Sequence, residues 1–390
     1  MSNLYKLSEL FNMQMGKTPA RNNSKYWDNG IYPWISISDF SNNGKFIKTT
    51  KEKITDMAVV ATGIKPISTG TVIMSFKLSI GKVAVVQTDE SKTYSNEAIM
   101  AFEIKKDLPA GIGLTNEYLY YLLSSIKFDN IGNKAVMGKT LNRGILENIK
   151  VTIHSFDKQK KIVAVLDKIT YLIDKQKQGI KKLDEIIKSR FIELFGNPVS
   201  NPYSLPEDTL PNLGKFGRGI SKHRPRNDIK LLGGKYPLIQ TGDVANAGLY
   251  ITSYSSTYSE LGLKQSKMWD KGTLCITIAA NIAKTAILEF DACFPDSVVG
   301  FIANERTNNI FIHYWFSFFQ AILESQAPES AQKNINLKTL SELKVIVPEK
   351  KKQDQFAAFV AQTDKSKFEV QKSLEKLELL KKSLMQKYFG

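Results

Sequence analysis

The chain has 390 residues and 42% hydrophobic content, enough apolar material for cores in two or three domains, which excludes a disordered or purely fibrous protein. Its 54 Lys and Arg against 38 Asp and Glu give a formal charge of +16, a balance that favours a polyanionic partner, nucleic acid first, through phosphate neutralisation and counterion release. Two cysteines, Cys275 and Cys293, and three histidines, His154, His223 and His313, are too scattered for a metal-ligand spacing, and no apolar run reaches the roughly 18 residues of a membrane span.

The first segment, Met1 to Phe11, is mixed in character and lacks an apolar signal core. With the cysteine usage, this points to a reducing, cytoplasmic setting. Lys17, Arg21 and Lys25 follow, interleaved with Tyr26 and Trp27. Gly16-Lys-Thr18 has the ending of a nucleotide-binding loop, but Phe11 stands where its first glycine belongs. Gly30-Ile-Tyr-Pro-Trp-Ile-Ser-Ile-Ser-Asp39 and Gly44-Lys-Phe-Ile47 come next. Gly70-Thr-Val-Ile-Met-Ser75 reads as a strand after a turn, followed by Lys77, Ser79, Ile80, Lys82 and Ala84. Gly132 and Gly138-Lys-Thr140 pair two glycines, with five residues between them where a phosphate cradle needs four. Lys17 and Lys139 are therefore expected on nucleic-acid phosphates, not on a nucleotide.

From Ile162 the positions Leu166, Ile169, Ile173, Ile180, Leu183, Ile187 and Leu194 fall in steps of three and four, with Gln176 and Arg190 at the two remaining seam sites. That spacing predicts a coiled-coil helix whose other faces carry charge. Gly196 and Asn197-Pro198 end it, and Pro202, Pro206 and Pro211 extend the break.

The chain then repeats itself. Gly30 to Asp39 lies over Gly234-Lys-Tyr-Pro-Leu-Ile-Gln-Thr-Gly-Asp243, and Gly44 to Ile47 over Gly248-Leu-Tyr-Ile251, both offset by 204 positions. Gly70 to Ser75 matches Gly272-Thr-Leu-Cys-Ile-Thr277, and Ile80, Lys82 and Ala84 match Ile282, Lys284 and Ala286, with Ala283 where Gly81 stands. Val151, Ile153 and Gln159 match Val345, Val347 and Gln353, and Phe195-Gly196 matches Phe389-Gly390 at an offset of 194. Phe356, Val360, Val370, Leu374, Leu377, Leu384 and Tyr388 repeat the helical spacing. Self-similarity on this scale means two copies of one unit, with loops of different length accounting for the drift in offset. The reading is an α+β protein: a first head at 1–150, a coiled-coil helix at 151–196, a Pro-rich linker at 197–211, a second head at 212–344 and a second coiled-coil helix at 345–390.

At Ile153-His-Ser-Phe-Asp-Lys-Gln-Lys-Lys-Ile-Val-Ala-Val-Leu-Asp-Lys-Ile169, running on to Leu183-Asp-Glu-Ile-Ile-Lys-Ser-Arg-Phe-Ile-Glu-Leu-Phe-Gly-Asn-Pro198, and at Ser383-Leu-Met-Gln-Lys-Tyr-Phe-Gly390, the chain resembles the specificity subunits of Type I restriction-modification systems. The resemblance implies two target-recognition domains that read a bipartite DNA site, one half each, with the two long helices forming an antiparallel coiled coil as the spacer. It also implies no catalysis by the chain itself. Partner modification subunits, two of them, would bind S-adenosylmethionine and methylate adenine, and restriction subunits would use ATP and Mg. No cofactor is expected on this chain.

Catalytic motifs fail in the same direction. Asn201-Pro-Tyr203 lacks one proline of a methyltransferase tetrad and sits in the linker, where it reads as a turn. Pro295-Asp296 and Glu305-Arg306 have the acids of a nuclease site, but Thr307 replaces the lysine. Candidate DNA contacts in the first head are Lys17, Arg21, Lys25, Ser36, Lys77, Ser79, Lys82 and Lys139; in the second, Arg218, Lys222, Arg224, Arg226, Gln240, Asn281 and Lys284. Arginines on a loop beside a strand suit phosphates or guanine edges, and a Gln at such a place suits adenine. Tyr32 and Tyr236 are expected to pack. A coiled-coil scaffold without DNA binding is the competing reading, distinguished by salt-independent behaviour on duplex DNA.

Overall fold

The structure is a computed structural model, which describes residues 4–77, 79–90, 92–128, 141–326 and 335–390. Lys139 and the Gly132–Gly138 motif lie outside the described residues. The chain divides into two compact units: Met1–Gln176 with Ser373–Gly390, and Lys177–Lys372. Each unit holds one head together with part of each long helix.

In the first unit a five-stranded sheet has the order Phe11–Met15, Ile99–Ile104, Val72–Ser75, Val83–Val86, Phe46–Ile47. All neighbours are antiparallel except the last pair, which is parallel. Its central strands are buried over most of their length, so both faces are covered there. A three-stranded sheet carries Tyr32–Ile35 between Glu52–Ile54 and Tyr94–Ser95. Leu4–Lys6 pairs with Lys150–Thr152, tying the start of the head to the segment that enters the long helix.

The second unit repeats the design. Its five-stranded sheet runs Gly214–Arg218, Val298–Ala303, Leu274–Thr277, Thr285–Leu288, Tyr250–Ile251, again with only the last pair parallel. The smaller sheet gains a fourth strand, Met268–Trp269. Glu207–Thr209 pairs with Lys344–Ile346, so the stretch read as linker ends in a strand equivalent to Leu4–Lys6. Earlier in that stretch, Asn201 bonds Leu205 through both ends of its amide, a turn held by side-chain chemistry.

The repeat extends to individual hydrogen bonds that sequence matching does not see. Tyr32 donates to Asp56 at 2.8 Å and Tyr236 to Glu260 at 2.7 Å. Thr55 and Ser259 each cap a helix and also donate to a carbonyl of the preceding basic segment, Lys25 and Lys230 respectively.

The long helices are Phe156–Phe195 and Lys350–Phe389, each 40 residues, or about 60 Å. In the first unit the entry of the first helix meets the end of the second: His154 Nε2 lies 2.9 Å from the Tyr388 carbonyl, and Gln176 bonds Ser373. In the second unit Phe191 meets Phe356, and Lys367 bonds Asp184 at 2.7 Å. Rising numbers on one helix face falling numbers on the other, which is antiparallel packing. Ile162, Leu166, Ile169, Ile173 and Ile187 are buried as the seam requires. Toward the end of the first helix the seam departs from the expected Arg190 and Leu194. Phe191 and Phe195 are fully buried instead, because a 3.6-residue turn drifts against a 3.5-residue repeat unless the helices supercoil fully. These rings join the core of the second head through Phe311.

Each helix is also pinned at its start. Gln159 and Gln353, the matched pair, are 1% and 0% exposed. Gln159 donates to the carbonyls of Gly113 and His154; Gln353 donates to those of Arg306 and Pro348 and accepts from Thr307.

His313, on the helix Asn309–Gln326, is held by Thr285 at 2.9 Å. Burial pushes its imidazole down to about 4, helped by the Lys367 charge and opposed by Thr285. The folded state therefore binds fewer protons than the unfolded state between that value and about 6.5. Stability from this site is complete above about pH 6.5 and is lost as pH falls toward 4, on the order of 3 kcal/mol. Replacing His313 by Gln should flatten the acid limb of stability against pH, measured by urea melts at pH 4.5 and 7; an unchanged difference between the two would remove His313 as its source.

Candidate nucleic-acid interface

In each head a basic loop and a tight turn border the same short bridge. In the first, the loop follows strand Phe11–Met15: Gly16 donates to Ile99 and Lys17 to Ser95. A Cβ on Gly16 would lie 2.1 Å from the Ser95 carbonyl oxygen, so only glycine lets the loop leave the sheet this closely. The second head does the same with Gly219, whose N–H donates to Val298 and whose Cβ would lie 2.2 Å from the Phe294 carbonyl oxygen.

The turn is a second duplicated device. Ser75 accepts the Lys82 N–H at 3.0 Å and donates to the Ser79 carbonyl; Thr277 accepts the Lys284 N–H at 3.1 Å and donates to the Asn281 carbonyl. Both hydroxyls are buried, so they replace the ladder bonds that the turn forgoes. Gly81 sits at φ +86° and Ala283 at φ +56°. The backbone shape is kept although the second copy has lost the glycine that adopts it without strain. Phe76 then donates to Ala98, and Ile278 to Ser297, which brings each turn to the bridge at 96–98 or 295–297.

The structure gives the candidate residues different surroundings. Arg21 forms a fork with Glu52 and stacks over Trp27 at 3.9 Å and Trp34 at 4.7 Å, while half of its side chain stays exposed. Lys17 donates to the Thr62 carbonyl at 2.7 Å, while the Lys25 side chain is exposed. Ser36 and Gln240 occupy matched N-cap positions, Ser36 donating to Asp39 and the Gln240 N–H to Asp243. Gln240 also reaches Ser256 at 3.3 Å. Lys77 lies 5.3 Å from the Phe76 ring. Ser79 and Asn281 are exposed turn residues. Lys82 donates to Ser41 at 2.7 Å and Lys284 to Gln320 at 3.2 Å, both neutral acceptors.

The cations of the second basic loop are exposed, as those of the first are. Arg218 ends the edge strand opposite Val299, and Lys222, Arg224 and Arg226 project beyond it. Arg224 folds the loop on itself, donating to the Ser221 and His223 carbonyls at 2.6 and 2.9 Å. Gln265 holds the loop from beneath through the N–H groups of Lys222 and His223. Sequence reasoning does not show this support, nor the pairing of Asp296 with Arg226 at 2.5 Å. The acids of Pro295-Asp296 and Glu305-Arg306 do not form a shared cluster: Asp296 faces the loop arginines and Arg306 turns to Asp208. Among the described residues no group of three or more His, Cys, Asp or Glu is placed to hold a metal ion, and no helix is long and apolar enough to cross a membrane.

Comparison with known proteins agrees with this duplicated layout. The family described as Type I restriction modification DNA specificity domain matches residues 2–185 and again 212–381. The Type I restriction enzyme MjaIX specificity subunit of Methanocaldococcus jannaschii is 26% identical over 284 residues, covering 67% of this chain and 62% of that protein. The putative MjaX specificity subunit of the same organism is 25% identical over 285 residues, 69% of this chain and 66% of its own length. The chain thus matches a little under two thirds of each relative. Among solved structures, the Type-I restriction-modification system S subunit from M. genitalium has the same fold, with a TM-score of 0.56 at 16% identity over 100% of this chain and 96% of that one. With both of its repeats matched, this chain belongs to the Type I restriction-modification DNA specificity domain family and carries that domain twice.

Proposed function

We propose that the chain is the DNA-reading, non-catalytic specificity subunit of a cytoplasmic Type I restriction-modification complex. Each head takes one half of a bipartite duplex target. The observation that carries this reading is the duplicated assembly of basic loop, capped turn and bridge on two sheets of identical strand order. A reader with two similar heads suits a target split into two half-sites. Loop arginines and lysines supply phosphate contacts that set register, and base edges supply specificity. The long helices serve recruitment of two modification subunits, which bind S-adenosylmethionine and methylate adenine, and of ATP- and Mg-dependent restriction subunits.

Lys82 and Lys284 make the direct test, because each sits in a matched turn with its amino group on a neutral acceptor. Replacing either with Ala should weaken duplex binding and flatten the slope of log affinity against log salt by about one unit. Fluorescence anisotropy with a duplex across a salt series measures both. Wild-type binding that ignores salt would instead favour a scaffold without a DNA role.

A further inference from the structure

In the second head one carboxylate stands between the two arginines at the tip of the basic loop. Asp296 Oδ1 accepts from Arg226 at 2.5 Å, and Oδ2 lies 3.6 Å from an Arg224 nitrogen. The acid belongs to the bridge between Ala292–Cys293 and Val298–Ala303, not to the loop.

The first head places an acid at the same point. Glu97 lies between Tyr94–Ser95 and Ile99–Ile104 and accepts from Thr18, the residue after Lys17 in its own loop. The register makes the equivalence secure, since the next residue in each bridge, Ala98 or Ser297, accepts from the first residue of the turn. An acid reaching from the bridge to the loop is thus part of the duplicated design.

Stability does not account for it. The Asp296 side chain is 32% exposed and its arginines 47% and 56%, and ion pairs this open contribute little to folding. Placing an acid in the centre of a surface meant for phosphate opposes binding unless it does something else.

We infer that Asp296 is a specificity-determining residue of the second head, a carboxylate that occupies Arg224 and Arg226 in place of DNA phosphate until a matching half-site displaces it. The inference rests on the DNA-reading function proposed above. A non-cognate duplex offers these arginines only phosphate, and exchanging one charge-assisted hydrogen bond for another gains little. A cognate half-site adds base edges, where a guanidinium fork can bond guanine O6 and N7 together. The acid therefore weakens backbone-only binding more than matched binding, and specificity is the difference between the two.

The test uses the full chain with Asp296→Asn, which keeps an acceptor near Arg226 and removes the charge, and Asp296→Glu, which restores it. Binding of a random-sequence duplex is followed across salt, half-sites are recovered by selection from a randomised library, and thermal melts check the fold. With Asp296→Asn, non-cognate affinity at low salt should rise about tenfold and the salt slope should steepen by about one unit. Enrichment should fall at one half-site and hold at the other. Asp296→Glu should return non-cognate binding to the wild-type level. Unchanged or weaker non-cognate binding by a folded Asp296→Asn chain, or equal loss of enrichment at both half-sites, would overturn the role given to Asp296. If Asp296→Asn does not fold, Asp296→Glu decides: a folded Glu variant with raised non-cognate affinity overturns it, and one with wild-type affinity and selectivity supports it. A wild-type chain without salt-dependent duplex binding would overturn the DNA-reading function itself, a different result.

Discussion

Exchanging residues 1–149 for the corresponding head of a relative should replace one half of the methylated target entirely and leave the other half unchanged. The physical warrant is that each head has its own sheet, loop, turn and bridge, and its own buried core. The exchange point is favourable. The incoming N-terminal strand has only to pair with the retained Lys150–Thr152, as Leu4–Lys6 does, and strand pairing uses backbone groups that any sequence supplies. Leu7 donates to the Ile149 carbonyl at 2.9 Å, so residue 149 closes the head. Methylome sequencing of a host carrying the hybrid with its partner subunits measures the outcome. Changes in both half-sites, or in neither, would contradict the assignment of one half-site to each head.

Replacing Gln353 by Leu should destabilise the second unit by about 3 kcal/mol, because burial leaves the Arg306 and Pro348 carbonyls and the Thr307 hydroxyl without their partner. For a unit of about 200 residues this corresponds to a fall in melting midpoint of roughly 6–12 °C. Gln159→Leu should cost less. Its amide nitrogen serves two carbonyls, but its oxygen is buried without a hydrogen-bond partner among the described residues, so substitution also removes a desolvated acceptor. Gln355→Leu, on an exposed face of the same helix, should change little. Differential scanning calorimetry of the three variants gives the order; equal effects for Gln353 and Gln355 would show that the buried amide does not anchor the helix. The same contacts explain why a glutamine recurs near the start of both helices. A chain that turns from strand to helix leaves carbonyls pointing inward, and a primary amide can satisfy two of them from one side chain.

The amino-acid sequence by itself determined the duplication, the two long helices and the breaks between them, because periodicity and turn chemistry are local and the two copies could be laid over one another. The Gly-Thr strands, the Tyr-Pro strands and the Gly196 stop all stand where spacing puts them. The functional surface was legible only as a set of cations with a few neutral polar residues, Ser36, Ser79, Gln240 and Asn281. Arg21 and Arg226 look alike along the chain and each meets a distant carboxylate, Glu52 or Asp296, yet only Arg21 is also stacked on Trp27 and Trp34. What each charge contacts depends on long-range partners, and those have no periodicity to read. The end of the first helix was misread for a related reason: whether Leu194 or Phe191 turns inward depends on how far the seam drifts and on which aromatic side chains the neighbouring head presents. Ala283 shows the limit from the other side. Nothing in its identity announces a left-handed backbone, but the Thr277 hydroxyl and the matched turn impose one. The tertiary hydrogen bonds, not the residue, decide that conformation.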